Sequence, residues 1–243
     1  MMTELPTFPG MGTVVNCIAL IVGGMLGLTI GRFLNERLQQ TLQMACATAV
    51  IFIGIGSTLT KMLRVNADGS IELLGAMMMI ASLTGGAVIG EVIDLDSKFE
   101  RLGVWLKRKT GNEGDNNFIN GFVTASLTFC IGAMSVLGPV NDALLGDCTV
   151  LYMKSVLDMI LVMVMAASMG KGCVFSSVSV GLFQGTVTLL AGLIEPFMTT
   201  AALDNLSYVG NILIFCVGIN LMFGNRIRVA NLLPALVIAV IQA

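Results

Sequence analysis

Apolar runs about as long as a bilayer is thick recur along this chain, separated by short polar breaks. Read between those breaks, they give eight spans, near 12–31, 41–62, 71–93, 118–138, 148–169, 173–195, 207–224 and 229–242. A helix needs about 20 mainly apolar residues to cross the hydrocarbon core. Lipid offers no hydrogen bonds, so each crossing segment must satisfy its own backbone, which favours helices. The pattern predicts an all-α, polytopic transmembrane helical bundle, a single integral membrane domain over residues 1–243. Composition agrees: 12% of residues are charged and 56% hydrophobic, against roughly 25% charged in soluble domains. The eighth run is short and is expected to tilt or cross only partly. In the fourth, "GAMSVLGPVND" places Gly132, Gly138 and Pro139 where they weaken a helix. A broken helix or re-entrant turn is expected there.

Orientation follows from the basic residues in short loops. With alternating spans, one side receives Arg32, Arg37, Lys98, Arg101, Lys107, Arg108, Lys109, Lys171, Arg226 and Arg228, ten in all. The other side receives Lys61 and Arg64, and Lys154 lies within a span. The ten-charge side is read as cytoplasmic, with both termini outside. Glu4, Asp68, Glu72, Asp142, Asp147, Glu195 and Asp204 then face outward or sit at the outer interface. The opening "MMTELPTFPGMG" lacks the basic segment of a secretory signal. A net charge of −2 argues against a nucleic-acid partner. The longest cytoplasmic segment, about 94–117, reads as an amphipathic helix with the sole tryptophan, Trp105, beside Lys107, Arg108 and Lys109. Such a helix can lie in the membrane interface near anionic headgroups.

Glycines recur every fourth residue in the first span (Gly23, Gly27, Gly31), and pairs occur in the third (Gly86, Gly90) and sixth (Gly181, Gly185). Small residues at this spacing make a flat face on which another backbone packs closely, within the chain or in a homo-oligomer. A fainter similarity joins "NCIALIVGG", "ASLTFCIGA" and "NILIFCVGI" in spans one, four and seven, each with glycine seven residues after its start. Copies three spans apart are inverted in the membrane, an arrangement that transporters use.

The chemistry-bearing residues are few. Lys154 and Asp158 sit four residues apart in an apolar stretch from Asp147 to Lys171, so on a helix they share a face. A charge at the bilayer centre costs roughly 2.5–3.5 kcal/mol on insertion scales, and such residues usually mark a substrate or ion path. Fastening of neighbouring helices is the plainer alternative. Ser155 adjoins the pair. Asn16, Thr124, Gln184, Asn211, Asn220 and Asn231 place further polar groups in or at the ends of spans. Each of these alone is explained by interhelical hydrogen bonding; together they predict a polar bundle interior. Glu91 is expected to reach water at the inner end of span three. There is no histidine, and the six cysteines are isolated, so neither a zinc centre nor another cofactor is expected. No Walker loop, nucleophile elbow or dinucleotide fingerprint occurs, and intramembrane aspartate proteolysis would need a second midplane Asp. The chain is not expected to be an enzyme.

Several longer words, "GTVVN", "GGMLG", "FVTASLTFCIGAMSVLG", "DALLGD", "KSVLD", "QGTVTLLAG" and "RVANLLPAL", occur in this order from about Gly12 to the C-terminus. In combination they resemble the bacterial inner-membrane family catalogued as domain of unknown function 554, the YqgA/YdfK-like proteins. The resemblance implies a bacterial cytoplasmic-membrane protein described only as a candidate transport protein. It carries no established substrate. Its words fall on Asn16, Lys154, Asp158, Gln184 and Asn231. The expected function is secondary transport of a small polar solute or ion, with Asp158 as the protonatable or cation-binding group. A channel, or a non-transporting membrane scaffold, is the alternative.

Overall fold

The computed structural model describes residues 8–243, so Glu4 and most of the opening segment lie outside the described residues. The long helices are α1 (Met11–Gly31), α2 (Glu36–Met62), α3 (Ala76–Ile93), α7 (Thr149–Met169), α8 (Ser176–Leu189) and α10 (Thr200–Phe223). Helices α5 (Phe118–Cys130) and α6 (Met134–Leu145) form one broken element, bent by 60°. The amphipathic α4 (Leu95–Lys109), the short α9 (Ala191–Ile194) and the final α11 (Pro234–Ile241) complete the helices. Six helical stretches are long and apolar enough to cross a membrane, seven when the bent pair counts as one span. A shorter apolar stretch, Val229–Ile241, follows the last of them. The molecule is an all-α polytopic bundle.

Three tight pairs organise it. On α1, a Cβ added at Gly23 would lie 2.5 Å from the Met159 carbonyl, and one at Gly31 2.8 Å from the Ala167 carbonyl. Gly27 would meet the Met163 backbone. Positions advance together on both helices, so α1 and α7 run parallel. Helices α2 and α10 are antiparallel, with Gly54 against Phe215 and Gly218 against Ile51. Helices α3 and α11 are antiparallel too, with Gly86 on Ala235 and Gly90 on the Asn231 carbonyl. At these contacts backbone meets backbone, which gains dispersion that any larger side chain would prevent. Helix α8 runs antiparallel to α1 and parallel to α5, the latter contact marked by a Ser126–Ser179 hydrogen bond of 3.0 Å. Buried Leu20, Phe129, Val162, Met165, Val180 and Leu213 tie these elements into one core.

Several boundaries differ from the sequence reading. Span three begins at Ala76, because residues 63–65 and 71–73 form an antiparallel hairpin pairing Arg64 with Glu72. Its turn is made by "NADGS": Asp68 accepts from the Ser70 amide at 3.0 Å, and Gly69 takes φ +80°. Span seven begins at Thr200, capped by the Thr199 hydroxyl. Asp204 and Asn205 resemble loop residues in sequence, yet neighbours satisfy them: Lys61 pairs with Asp204 at 2.5 Å, and Asn205 donates to the Ala239 carbonyl. The fourth span breaks at Gly132, whose φ of +125° only glycine adopts freely, and Pro139 is accommodated inside α6. The three aligned glycines of the faint repeat therefore differ in role. Gly23 and Gly218 are packing contacts, whereas Gly132 is the break.

Helix α4 forms within the segment 94–117 read as an amphipathic helix, but it ends at Lys109 and residues 110–117 make turns. Gly103 and Leu106 pack on α5, with Leu106, Phe118 and Phe122 in one cluster. Trp105 stays half exposed, with the Lys109 ammonium 4.9 Å from its ring centre. The helix directions put the C-terminal ends of α1, α3, α7 and α10 at one end of the bundle, together with α4. The ten loop cations of the sequence count therefore collect at that end.

Candidate functional site

Lys154 lies in the N-terminal half of the 21-residue α7 and Asp158 near its middle. Their side chains are 8% and 9% exposed. The Lys154 ammonium donates to Asp158 Oδ1 at 3.0 Å and stands 2.8 Å from Oδ2, to which no hydrogen bond is aligned. Asn16, fully buried on α1, lies beside Asp158 without an aligned hydrogen bond to its carboxylate. Its side-chain amide donates to Gln184 Oε1 on α8 across 3.4 Å. Lys154, Asp158, Asn16 and Gln184 thus form one polar relay through three helices.

The relay is under-satisfied. Among the described residues, Asn16 Oδ1, Gln184 Nε2, Asp158 Oδ2 and Thr13 Oγ1 are buried without an aligned hydrogen bond. A buried polar group left in this state costs about 1–3 kcal/mol. Four such atoms lie on α1, α7 and α8. Cys130, the last residue of α5 before the break, is close enough for both charges of the pair to act on it. The break itself is stapled by hydroxyls. Ser135 donates to the Phe129 carbonyl at 2.9 Å, satisfying backbone that a continuous helix would have paired, while Thr128 bonds back to the Thr124 carbonyl within α5 at 2.8 Å.

The other sequence-chosen residues fall elsewhere. Ser155 is buried beside the pair but donates back to its own helix, to the Leu151 carbonyl at 2.7 Å. Among the described residues Asn211 reaches only Ser207, within α10, at 3.4 Å. Thr124 and Asn220 line a separate cavity of about 340 Å³ at the basic end. Asn220 staples the turn after α10, accepting from the Arg226 and Ile227 amides and donating to the Ile227 carbonyl at 2.6 Å. Asn231 joins three elements: it accepts from the Asp96 amide, at the start of α4, and donates to Glu91 at 2.6 Å. Glu91 also pairs with Arg228 at 2.5 Å, so it meets a cation as well as water.

Two features escape the sequence reading. Asp142, assigned to the outer surface by the charge count, is 1% exposed. It accepts from the Gly12 amide at 2.9 Å and from the Cys148 thiol at 3.3 Å. A carboxylate at the start of α1 complements the helix dipole and supplies a missing cap, which is why burial is tolerated. The second is the basic-end cavity, whose walls include Asp96, Glu100, Asn120 and Arg226. Burial holds the Asp96 carboxyl above its ordinary range, and the Glu100 carboxylate adds to the effect. The spacing of Asp96 and Glu100 on one face of α4 was the available signal.

The family model described as "Protein of unknown function (DUF554)" matches residues 11–243. The uncharacterized membrane protein YdfK of Bacillus subtilis (strain 168) is 31% identical over 227 residues, covering 93% of each chain. The uncharacterized protein YqgA of Escherichia coli (strain K12) is 28% identical over 235 residues, covering 94% of each. No solved structure matches. With an apolar helical bundle, a family match over nearly its whole length and a relative named as a membrane protein, this chain is a membrane-embedded member of the DUF554 family.

Proposed function

We propose that this protein is a secondary transporter of a small polar solute or ion in the bacterial cytoplasmic membrane. Its basic end faces the cytoplasm and both termini face outward. The observation that carries the reading is the buried relay: an ion pair near mid-helix beside which two amides and a hydroxyl each leave a buried polar atom without a partner among the described residues. A pair that served only to fasten helices would be expected to have its neighbours satisfied. The broken α5–α6 element beside it fits the same reading, since discontinuous helices commonly frame transport sites near the midplane.

In this mechanism Asp158 binds a proton or small cation, and Lys154 is its counter-charge when the site is empty. Asn16 and Gln184 supply neutral hydrogen bonds to the occupant. Transport rather than catalysis is inferred because the site offers polar contacts and a charge pair without a nucleophile–base pair.

The test is uptake into proteoliposomes loaded for exchange, screened against ions and small polar solutes at several pH values, with Asp158→Asn alongside. Saturable, pH-dependent uptake that disappears in Asp158→Asn is the expected result. Uptake unchanged in that variant would remove Asp158 from the mechanism.

A further inference from the structure

Helix α4 carries its charges on two separate flanks. With about 3.6 residues per turn, Leu95, Phe99, Leu102, Gly103 and Leu106 fall on one side, which packs on α5 and the core. Asp96 and Glu100 lie to one edge of this stripe and line the cavity of about 340 Å³ that α5 and the end of α10 complete. Glu91 and Asp94 continue this acidic recess beyond it. Lys98, Arg101, Trp105, Arg108 and Lys109 lie to the opposite edge, and all five are exposed. The acidic flank turns in toward α10, so the basic flank turns away from the bundle.

Local effects account for only part of this flank. Arg108 and Lys109 stand in the last turn, where the helix dipole favours cations. Lys98 stands in the first turn, where the dipole disfavours one, and Arg101 adds a like charge three residues on along the same face. None of the four makes an ion pair among the described residues. Trp105, the only tryptophan of the chain, sits between Arg101 and Arg108 and is 51% exposed. The Lys109 ammonium stands over its ring, 4.9 Å from the centre. The helix also starts where an apolar span ends. Helix α3 stops at Ile93, its Val92 is 82% exposed, and only Asp94 separates it from α4. From Lys98 to Lys109 the flank then runs about 16 Å, at about 1.5 Å per residue.

We propose that this flank of α4 is a docking surface for anionic phospholipid headgroups. Lys98, Arg101 and Arg108 take the headgroup phosphates, which guanidinium groups match in geometry as well as charge. Trp105 sits among the headgroups at the edge of the hydrocarbon, the level at which indole rings collect. Charge complementarity selects the partner: the flank offers four cations, and the nearest surface beyond the end of α3 is a layer of phosphates. The acids that follow, Glu113 and Asp115, lie past the helix in the turns that lead to α5. Membrane embedding is all that this docking requires; it involves neither Asp158 nor transport.

The sole tryptophan makes the test direct. The full-length protein is reconstituted in phosphatidylcholine vesicles with rising fractions of lipid brominated near the headgroup, either phosphatidylglycerol or phosphatidylcholine. Bromine quenches an indole only at close range, so the two quenching curves report which headgroup gathers at Trp105. Brominated phosphatidylglycerol is expected to quench at a fraction at least about fivefold lower, the bias that one engaged cation gives at a membrane surface. Raised salt should shrink that preference. The neutral triple variant Lys98→Gln/Arg101→Gln/Arg108→Gln should be quenched equally by both lipids. The charge-keeping triple variant Lys98→Arg/Arg101→Lys/Arg108→Lys should retain the preference. All three side chains are exposed, so both variants should keep the wild-type Tm. Quenching by neither lipid would place Trp105 in water or against another protein and overturn the inference. Equal quenching by both lipids in the wild type, or an unchanged preference in the neutral variant, would overturn it as well.

Discussion

At the scale of single residues, the burial of Lys154 and Asp158 sets sharp expectations. Removing one partner leaves the other charge without compensation, a loss of about 3–5 kcal/mol in buried pairs. Asp158→Asn should therefore lower Tm substantially. The double variant Lys154→Met/Asp158→Leu, which removes both charges, should recover most of that loss, as replaced buried pairs often do. Uptake should be absent in both. A double variant that transports would reduce the pair to a fastening. Asp96 gives a second expectation, with opposite pH logic to the usual surface carboxylate. Its folded-state pKa lies above the unfolded value, so the fold holds the proton more tightly than the unfolded chain does. Stability is then lost as pH rises from the ordinary carboxylate range through the raised value. Asp96→Asn should raise Tm at neutral pH, and the gain should vanish in acid below the ordinary Asp range. A thermal scan of both proteins from acid to neutral pH checks it.

Among the elements, glycines that look alike in sequence differ by what faces them. Gly27 abuts the Met163 backbone, which cannot swing aside, whereas Gly185 has open space where its Cβ would be. Gly27→Ala should destabilise by at least the roughly 1–3 kcal/mol typical of overpacking. Gly185→Ala should be neutral or stabilise by up to about 0.5–1 kcal/mol, since glycine in a helix interior is costly. Paired melting curves decide between the two. The glycine face of α1 is occupied by α7 of the same chain, so Gly27→Ala should unfold the protein without first dissociating an oligomer. A homo-oligomer would therefore use a different face. Size-exclusion profiles of the variant measured before and after heating would show whether dissociation precedes unfolding.

For the molecule as a whole, the pairing directions place Asn112 and Asp68 at opposite ends of the bundle. A cysteine introduced at Asn112 should react with a membrane-impermeant maleimide only after cells are opened, and one at Asp68 in intact cells. The native cysteines interfere little, because five of the six are buried. Labelling in the reverse order would invert the proposed orientation. The same directions explain how an acidic recess arises at the basic end. The charge bias concerns which side of the membrane a loop occupies, whereas the recess depends on which faces of α4 and α10 meet.

By itself the sequence determined the helical class, nearly all of the spans, the amphipathic α4 and the end that gathers the cations. These rest on local quantities: the length of apolar runs, helical periodicity and the count of Lys and Arg in short loops. Lys154 and Asp158 were legible for the same reason, since two charges four apart on a helix meet whatever surrounds them. Only the tertiary structure decided which polar residues share a site. Asn16 and Gln184, 168 positions apart, meet because α1 lies between α7 and α8. Thr124, Asn220 and Asn231, alike in sequence, went to a cavity and to staples at the basic end. Asp142 turned inward because the start of α1 needed a cap. Apolar residues look the same to lipid and to another helix, so no local pattern tells one face from the other. That choice is made by close backbone approach, and it sets the partners of each polar group.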